Sequence, residues 1–351
     1  MSRQHFSIIA VLAAVVIALV ALLVPQRGGF DPGESGQALL PGLMDRVNDI
    51  DRVVISGHAG TKATLSKGDG QWRVEELDGY PADWSRLQAL LSDLAQMEIV
   101  EAKTANPEYY PRLGVEDVTA EGASGTRIDF SAADSAWSVI AGHEASLQYG
   151  QYLRIADQPQ SVLVDRILDL SPEAVDWADA EILDVGSGLI AEVSILHPDG
   201  ERVRISKVSA DDAKFTLRTL PEGREPQSER KVDALASAYA GLRMEDVQAD
   251  HGAGEETPVE IKVVLFSGER FQVQVFEQDA ARWLRVIHES GPNPAAPEAD
   301  SEAAPETAAK VADPQRLEGW IFKVADSRLE SMAPRLESLL KPLESGSGEQ
   351  D

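Results

Sequence analysis

The sequence predicts an α+β fold in which duplicated antiparallel strand-and-helix units form two related halves, preceded by one N-terminal transmembrane helix. Three observations support this prediction. Short segments alternate apolar and polar residues, as half-buried strands do. Helical spacing of apolar residues follows the strands in two places. The same order of elements then recurs about 140 residues further along the chain.

The first half begins with three predicted strands, at 52–56, 63–67 and 71–75, with a turn at 68–70. Asp83 is a suitable N-cap for a helix whose apolar residues form one stripe: Trp84, Leu87, Leu90, Leu91, Leu94 and Met97. An extended segment at 98–103 follows. A looser part then predicts strands at 126–130, 137–140 and 152–155, and a short helix near 162–170.

The second half repeats this order. Strands are predicted at 192–196, 202–207 and 215–218, and a helix follows with one apolar face: Val232, Leu235, Ala236, Tyr239 and Leu242. The segments LSKGDGQWRVEEL and ISKVSADDAKFTLRTL align, which indicates an internal duplication. Further strands are predicted at 260–265, 270–275 and 283–286. A terminal helix carries Leu329, Met332, Leu336, Leu339 and Leu340, and Pro334 should kink or divide it.

Composition sets the boundaries between these parts. Gly186-Ser187-Gly188 separates a first half over 45–186 from a second half over 187–345. A Gly- and Pro-rich stretch at 25–44 predicts a flexible tether, and 346–351 a disordered tail. Residues 290–314 are rich in proline, alanine and acids, so we interpret them as a low-complexity acidic insertion that cannot form a core. The insertion is either a tolerated loop or a tether for something else.

The 19-residue apolar run 6–24 is interrupted only by Ser7. As a helix it would reach roughly 28 Å, close to the hydrocarbon thickness of a bilayer. We interpret it as an uncleaved signal anchor, with 1–5 as a cytoplasmic tail. A cleaved signal peptide and a buried soluble helix are the alternatives. The expected location is the bacterial inner membrane, crossed once, with the bulk of the chain periplasmic.

The chain is acidic, with 32 Lys and Arg against 59 Asp and Glu and a formal net charge of −27. Because the first 30 residues contribute only Arg3 and Arg27, the acidity belongs to the part beyond the apolar run. Such a surface repels nucleic acid, so no nucleic-acid partner is expected. The chain has no cysteine, which excludes disulfides and a lipid-modified N-terminal cysteine.

No catalytic signature appears in the sequence. The six histidines (His5, His58, His143, His197, His251 and His288) are far apart, and we interpret each as a loop or surface residue. Ser66-Lys67 and Ser206-Lys207 occupy equivalent repeat positions, but neighbours on a strand diverge, so we do not expect Ser–Lys dyads. Trp72, Trp137, Trp283 and Trp320 could form a carbohydrate platform, although core packing is the simpler interpretation. We assign no catalytic, cofactor-binding or metal-ligating residues.

Several phrases resemble the bacterial family known as domain of unknown function 4340. They are QWRV at 71–74, YPAD at 80–83, AKT at 102–104, YYPRLG at 109–114, GQYLR at 150–154 and QSVLV at 160–164. Members of that family are commonly membrane-anchored and accompany ABC-type transport components of the gliding-motility auxiliary type. The resemblance implies an accessory protein of a transporter, and the family supplies no catalytic residues.

These observations together predict a non-enzymatic, single-span inner-membrane accessory protein without a cofactor. Its periplasmic domain would associate with an ABC-type transporter permease or ATPase, or with gliding-motility-type auxiliary subunits. The alternatives are an envelope glycan- or peptide-binding module, a disguised hydrolase and a structural tether.

Overall fold

A computed structural model describes residues 35–252, 257–289 and 316–342. The expected cytoplasmic tail 1–5, the signal anchor 6–24, the acidic insertion 290–314 and the tail 346–351 lie outside these ranges. Within the described ranges, no helix is both long enough and apolar enough to cross a membrane.

The described residues form mostly antiparallel sheets with a few helices, as the α+β prediction requires. The helices are α1 (Leu43–Arg46), α2 (Trp84–Gln96), α3 (Tyr110–Leu113), α4 (Glu229–Ser237), α5 (Asp326–Met332) and α6 (Leu336–Leu339). The strands are β1 (Arg52–Ser56), β2 (Lys62–Gly68), β3 (Gln71–Val74), β4 (Tyr80–Pro81), β5 (Ile99–Ala102), β6 (Thr126–Ala132), β7 (Ser135–Glu144), β8 (Gln151–Ile155), β9 (Ser161–Val164), β10 (Glu181–Leu183), β11 (Ile190–Leu196), β12 (Arg202–Ser206), β13 (Thr216–Leu217), β14 (Leu242–Arg243), β15 (Asp246–Ala249), β16 (Val259–Leu265), β17 (Arg270–Gln278), β18 (Ala281–Glu289) and β19 (Trp320–Lys323).

The chain divides into two compact units. Within the described ranges, unit 1 comprises residues 35–70 and 84–174, and unit 2 comprises 71–83, 175–252, 257–289 and 316–342. These bounds differ from the predicted halves in two places. Segment 71–83, assigned by its sequence to the first half, belongs to unit 2, and the boundary lies at 174/175, ahead of Gly186–Gly188.

In unit 1, seven strands are neighbours in the order β2-β1-β6-β7-β8-β9-β5. Alternation sets their faces: Val53 and Ile55 of β1 are fully buried, and Ile128 and Phe130 of β6 lie opposite them. Helix α2 buries Leu87, Leu90, Leu91 and Leu94, as its apolar stripe predicts, whereas Trp84 at its first turn is half exposed.

Unit 2 has the matching order β12-β11-β16-β17-β18-β19-β15, with β13 beyond β12. Each strand of this series corresponds to the strand ten places earlier in unit 1, which is what an internal duplication predicts. The pair β3 and β4 also belongs to unit 2. There Tyr80 is fully buried, with its ring edge-on to Trp320 at 5.0 Å between centroids.

Three segments test local predictions made from the sequence. The short helix predicted near 162–170 is wrong, because Ser161–Val164 form strand β9, whose four residues are all buried. The predicted tether is wrong for its described part, since Leu39, Leu40 and Leu43 are buried and Ala38 bridges Glu98. The terminal helix divides into α5 and α6 on either side of Pro334, as predicted.

Candidate functional site

Four of the six phrases that carry the family resemblance lie in unit 1, and those at 109–114 and 150–154 meet there at one buried guanidinium. Arg154, on β8, is 5% exposed. Its Nε donates to the Val115 carbonyl at 2.8 Å, and its Nη1 donates to the carbonyls of Ala156 at 2.6 Å and Gln158 at 3.3 Å. Its Nη2 donates to Asp117 at 2.9 Å. Arg154 therefore ties the loop after α3 to the loop after β8.

Tyr110 forms one wall beside this arginine. The Arg154 guanidinium lies 4.8 Å from the centre of the Tyr110 ring, within the range of a cation–π contact. The Tyr110 hydroxyl donates to the carbonyl of Pro159. Burial raises the pKa of Tyr110 above its ordinary value, so the hydroxyl keeps its proton and remains a donor at neutral pH.

The sequence of the segment 106–114 accounts for its local shape. The Asn106 side chain accepts from the N–H of Glu108 at 3.2 Å, and Pro107 follows at the first helical position, where its missing N–H costs nothing. Gly114 ends α3 with φ at 70°, a left-handed conformation that glycine adopts without strain. These residues make a tight turn that presents the Val115 carbonyl to Arg154.

Glycines let this loop approach the sheet closely. A Cβ on Gly142 of β7 would lie 2.1 Å from the Leu113 carbonyl oxygen, and one on Gly125 would lie 2.2 Å from that of Gly114. Only a residue without a side chain fits at either position. The loop is therefore held against the sheet by backbone packing as well as by Arg154.

Two further buried polar residues secure the surroundings. The Gln151 amide donates to the Gly142 carbonyl at 3.0 Å and accepts from the N–H of Leu168 at 3.0 Å. The Ser161 hydroxyl donates to the Thr104 carbonyl at 2.8 Å and accepts from the Thr104 N–H at 3.1 Å. Both residues belong to the resemblance phrases, and both hold main-chain groups in place.

An open surface depression of about 570 Å³ lies beside this cluster. Its apolar walls are Tyr110 and three prolines, and its carboxylates are Glu116, Asp117 and Asp157; the lining is Pro107, Tyr110, Pro111, Glu116, Asp117, Ala120, Arg154, Ala156, Asp157, Gln158 and Pro159. The volume suits a side chain or a small ligand. We refer to this space as the Arg154 cavity.

In the second Ser–Lys pair, the two side chains have different partners. The Ser206 hydroxyl accepts from the Arg218 guanidinium at 2.8 Å, and the Lys207 ammonium lies 4.6 Å from the centre of the Phe215 ring. Ser66 lies on β2 opposite Arg52 in the sheet register. The side chains of the second pair are thus engaged by different neighbours.

The histidines in the described ranges do not form a cluster. His143 lies 3.0 Å from the Ser124 hydroxyl, and His58 lies 3.4 Å from the Val118 carbonyl. His197 lies in the loop directly after β11, in agreement with the prediction of a loop or surface position, although it is only 5% exposed; its Nε2 lies 3.3 Å from the Pro334 carbonyl. Within the described ranges, no group of three or more acidic or histidine side chains is arranged to hold a metal ion.

The tryptophans pack mainly into the sheets. Trp72 and Trp283 are each 7% exposed. Trp137 stacks on Phe130, its direct cross-strand neighbour, with ring centres 5.5 Å apart. This packing favours the core interpretation over a carbohydrate platform.

Sequence reasoning missed the carboxylates of the Arg154 cavity. The resemblance phrases at 109–114 and 150–154 contain Tyr110 and Arg154. Glu116, Asp117 and Asp157 could not be distinguished from the other Asp and Glu residues, of which the chain has 59 in all. The available signal was their position: two lie just after the first phrase and one just after the second.

Fold and site together define a protein of two antiparallel β units in which a buried arginine organises a small, acid-lined cavity. The chain belongs to the family described as Domain of unknown function (DUF4340), whose model matches residues 72–261, more than half of the sequence. That range contains every residue that lines the Arg154 cavity. Comparisons with curated proteins and with solved structures give no match.

Proposed function

We propose that this protein is a non-enzymatic, single-span inner-membrane accessory protein whose periplasmic domain associates with an ABC-type transport complex. The observation that carries the proposal is the apolar run 6–24, which is long enough to anchor everything that follows to a membrane. The bulk of the chain then works at that surface.

The hydrogen bonds of three family motif residues support a structural role in which a rigid loop binds a partner. Arg154, Gln151 and Ser161 direct their buried polar atoms to main-chain carbonyls and N–H groups. Groups committed in this way hold a loop in a single conformation, and a rigid loop loses little entropy when it docks a partner.

The test is affinity purification of the tagged full-length protein from membranes in a mild detergent, followed by mass spectrometry. Permease and ATPase subunits should co-purify. The matched control carries a cleavable export signal in place of residues 1–27, so that the same domain reaches the periplasm without its anchor. A full-length protein that is recovered without partners would overturn the proposed association.

A peptide-binding module is the second candidate, and the Arg154 cavity favours it. Tyr110 and the three prolines offer apolar walls, while carboxylates supply polar anchors. A small cavity of this type accepts one side chain of an extended segment. If the purified protein has no transport partner yet retains envelope peptides, this second function replaces the first.

A further inference from the structure

The most unusual group in the Arg154 cavity is the carboxylate of Glu116, which is 9% exposed. Its Oε1 accepts from the N–H of Ser124 at 3.1 Å. Its Oε2 is buried and has no hydrogen-bond partner. A buried carboxylate oxygen without a donor costs free energy, which a donor from a bound group would recover.

The charges around Glu116 favour a cation. Arg154 is matched by Asp117 and by carbonyl oxygens. Arg127 is close enough to Asp157 for an electrostatic interaction. Its guanidinium, however, donates hydrogen bonds to both carboxylate oxygens of Asp129, with N–O distances of 2.8–3.0 Å. Glu116 and Asp157 are left without a direct ion pair within the described residues, so the cavity retains negative charge.

The walls define what kind of cation fits. Tyr110 and the prolines at 107, 111 and 159 present apolar surface that suits the methylene stem of a chain. A metal ion would require several oxygen ligands converging on one point, and the described residues provide no such group. A primary ammonium needs only two or three acceptors, which carboxylates supply well.

We propose that the Arg154 cavity binds a primary alkylammonium group, with the Glu116 carboxylate as its main acceptor and Asp157 as the second charge. The group can belong to a lysine side chain of a partner polypeptide or to a free polyamine, because both present the same ammonium on a methylene chain. This inference does not depend on the association with a transport complex.

The test uses the full-length protein in mild detergent at about 150 mM salt, where surface attraction is screened. Two probes distinguish the two sources of the ammonium group. One is spermidine, and the other is a peptide with a single lysine between uncharged residues. Calorimetry should detect saturable binding of at least one of them. Tight binding of the peptide alone identifies a partner's lysine, and tight binding of spermidine alone identifies a free polyamine; either result supports the site.

Glu116→Gln is the decisive variant because its amide oxygen can still accept from Ser124 while the charge is removed. We expect its affinity for the bound probe to fall at least about tenfold. Glu121→Gln is the matched control, since Glu121 is exposed on the same loop and does not line the cavity. Its affinity should change less than about twofold.

Three results would overturn the proposal: no saturable binding of either probe, equal weakening by Glu116→Gln and Glu121→Gln, or equally tight binding of the peptide with its lysine acetylated. If Glu116→Gln does not fold, Asp157→Asn takes its place, with the same expectation of weaker binding.

Discussion

At the scale of single residues, Arg154 shows how a buried charge can serve structure. It donates four hydrogen bonds, to three carbonyls and one carboxylate, and its flat guanidinium lies against the Tyr110 ring. A lysine could not reproduce this planar fork of donors. The neighbouring Glu116 is the opposite case, because one of its oxygens is left without a donor.

Arg154→Met is expected to lower the free energy of unfolding by roughly 2–4 kcal/mol, because buried carbonyls lose their donor. Arg204→Met provides the comparison, since the Arg204 side chain is 54% exposed and pairs with Glu192 at the surface. That change should cost less than about 1 kcal/mol. Urea unfolding measures both, and similar losses in the two variants would contradict a structural role for Arg154.

At the scale of elements, equivalent strands of the two units pair in the same register, but their solvent-facing residues differ in charge. Val53 and Ile55 of β1 correspond to Val193 and Ile195 of β11, and all four side chains are buried. The solvent-facing neighbours differ in charge: Arg52 corresponds to Glu192, Arg127 to Glu260 and Asp129 to Lys262. The core pattern therefore determines the strands, while the outer faces are free to take different roles.

The close approach of the segment 110–115 to β7 makes this part of unit 1 sensitive to substitution. Gly142→Ala would place a methyl group against the Leu113 carbonyl and push the loop away from the sheet. We expect a loss of about 2–3 kcal/mol in the free energy of unfolding. Gly186→Ala, where the added methyl meets open space, should change it by less than about 0.5 kcal/mol. Thermal or urea unfolding of the pair decides the question, and an unaffected Gly142→Ala protein would show that the loop yields.

At the scale of the whole molecule, ionisable groups set limits to stability at both ends of the pH range. In unit 2, hydrogen bonds from Arg285 lower the pKa of Asp250, whose side chain is 15% exposed. Burial raises the pKa of Tyr80, Tyr110 and Tyr239 above the ordinary value. The folded state thus holds Asp250 charged and the three tyrosines neutral.

The loss of stability at low pH follows from the lowered pKa of Asp250. Because its folded pKa is lowered, its contribution is complete above the unfolded value of about 3.9 and is lost as pH falls through the folded pKa. Asp250→Asn should reduce stability at pH 7 by roughly 1–3 kcal/mol and flatten the decline below pH 4. Urea midpoints from pH 7 to pH 2.5 measure this, and identical slopes for the two proteins would refute the linkage.

At high pH, stability is lost because the pKa values of buried tyrosines are raised in the folded state. The tyrosine pKa values are raised on folding, so their contribution is complete below about pH 10 and is lost as pH rises further. Tyr239, fully buried with its hydroxyl donating to the Met332 carbonyl at 3.1 Å, resists ionisation most.

The sequence alone determined the class of fold, most strand positions, helix α2 and the break at Pro334, because alternation and helical spacing are local consequences of burying one face. It also identified the family through phrases such as YYPRLG and GQYLR. It misjudged 162–164 as helix, since a continuous apolar run in a fully buried strand has no period to distinguish it.

Only the tertiary structure decided three things: that segment 71–83 belongs to unit 2, that the predicted tether buries Leu39, Leu40 and Leu43, and that Arg154, Glu116 and Asp157 line one cavity. Each depends on contacts between residues that are distant in the chain. No local pattern encodes them, because a side chain's partner across a sheet or loop is set by the path of the whole backbone.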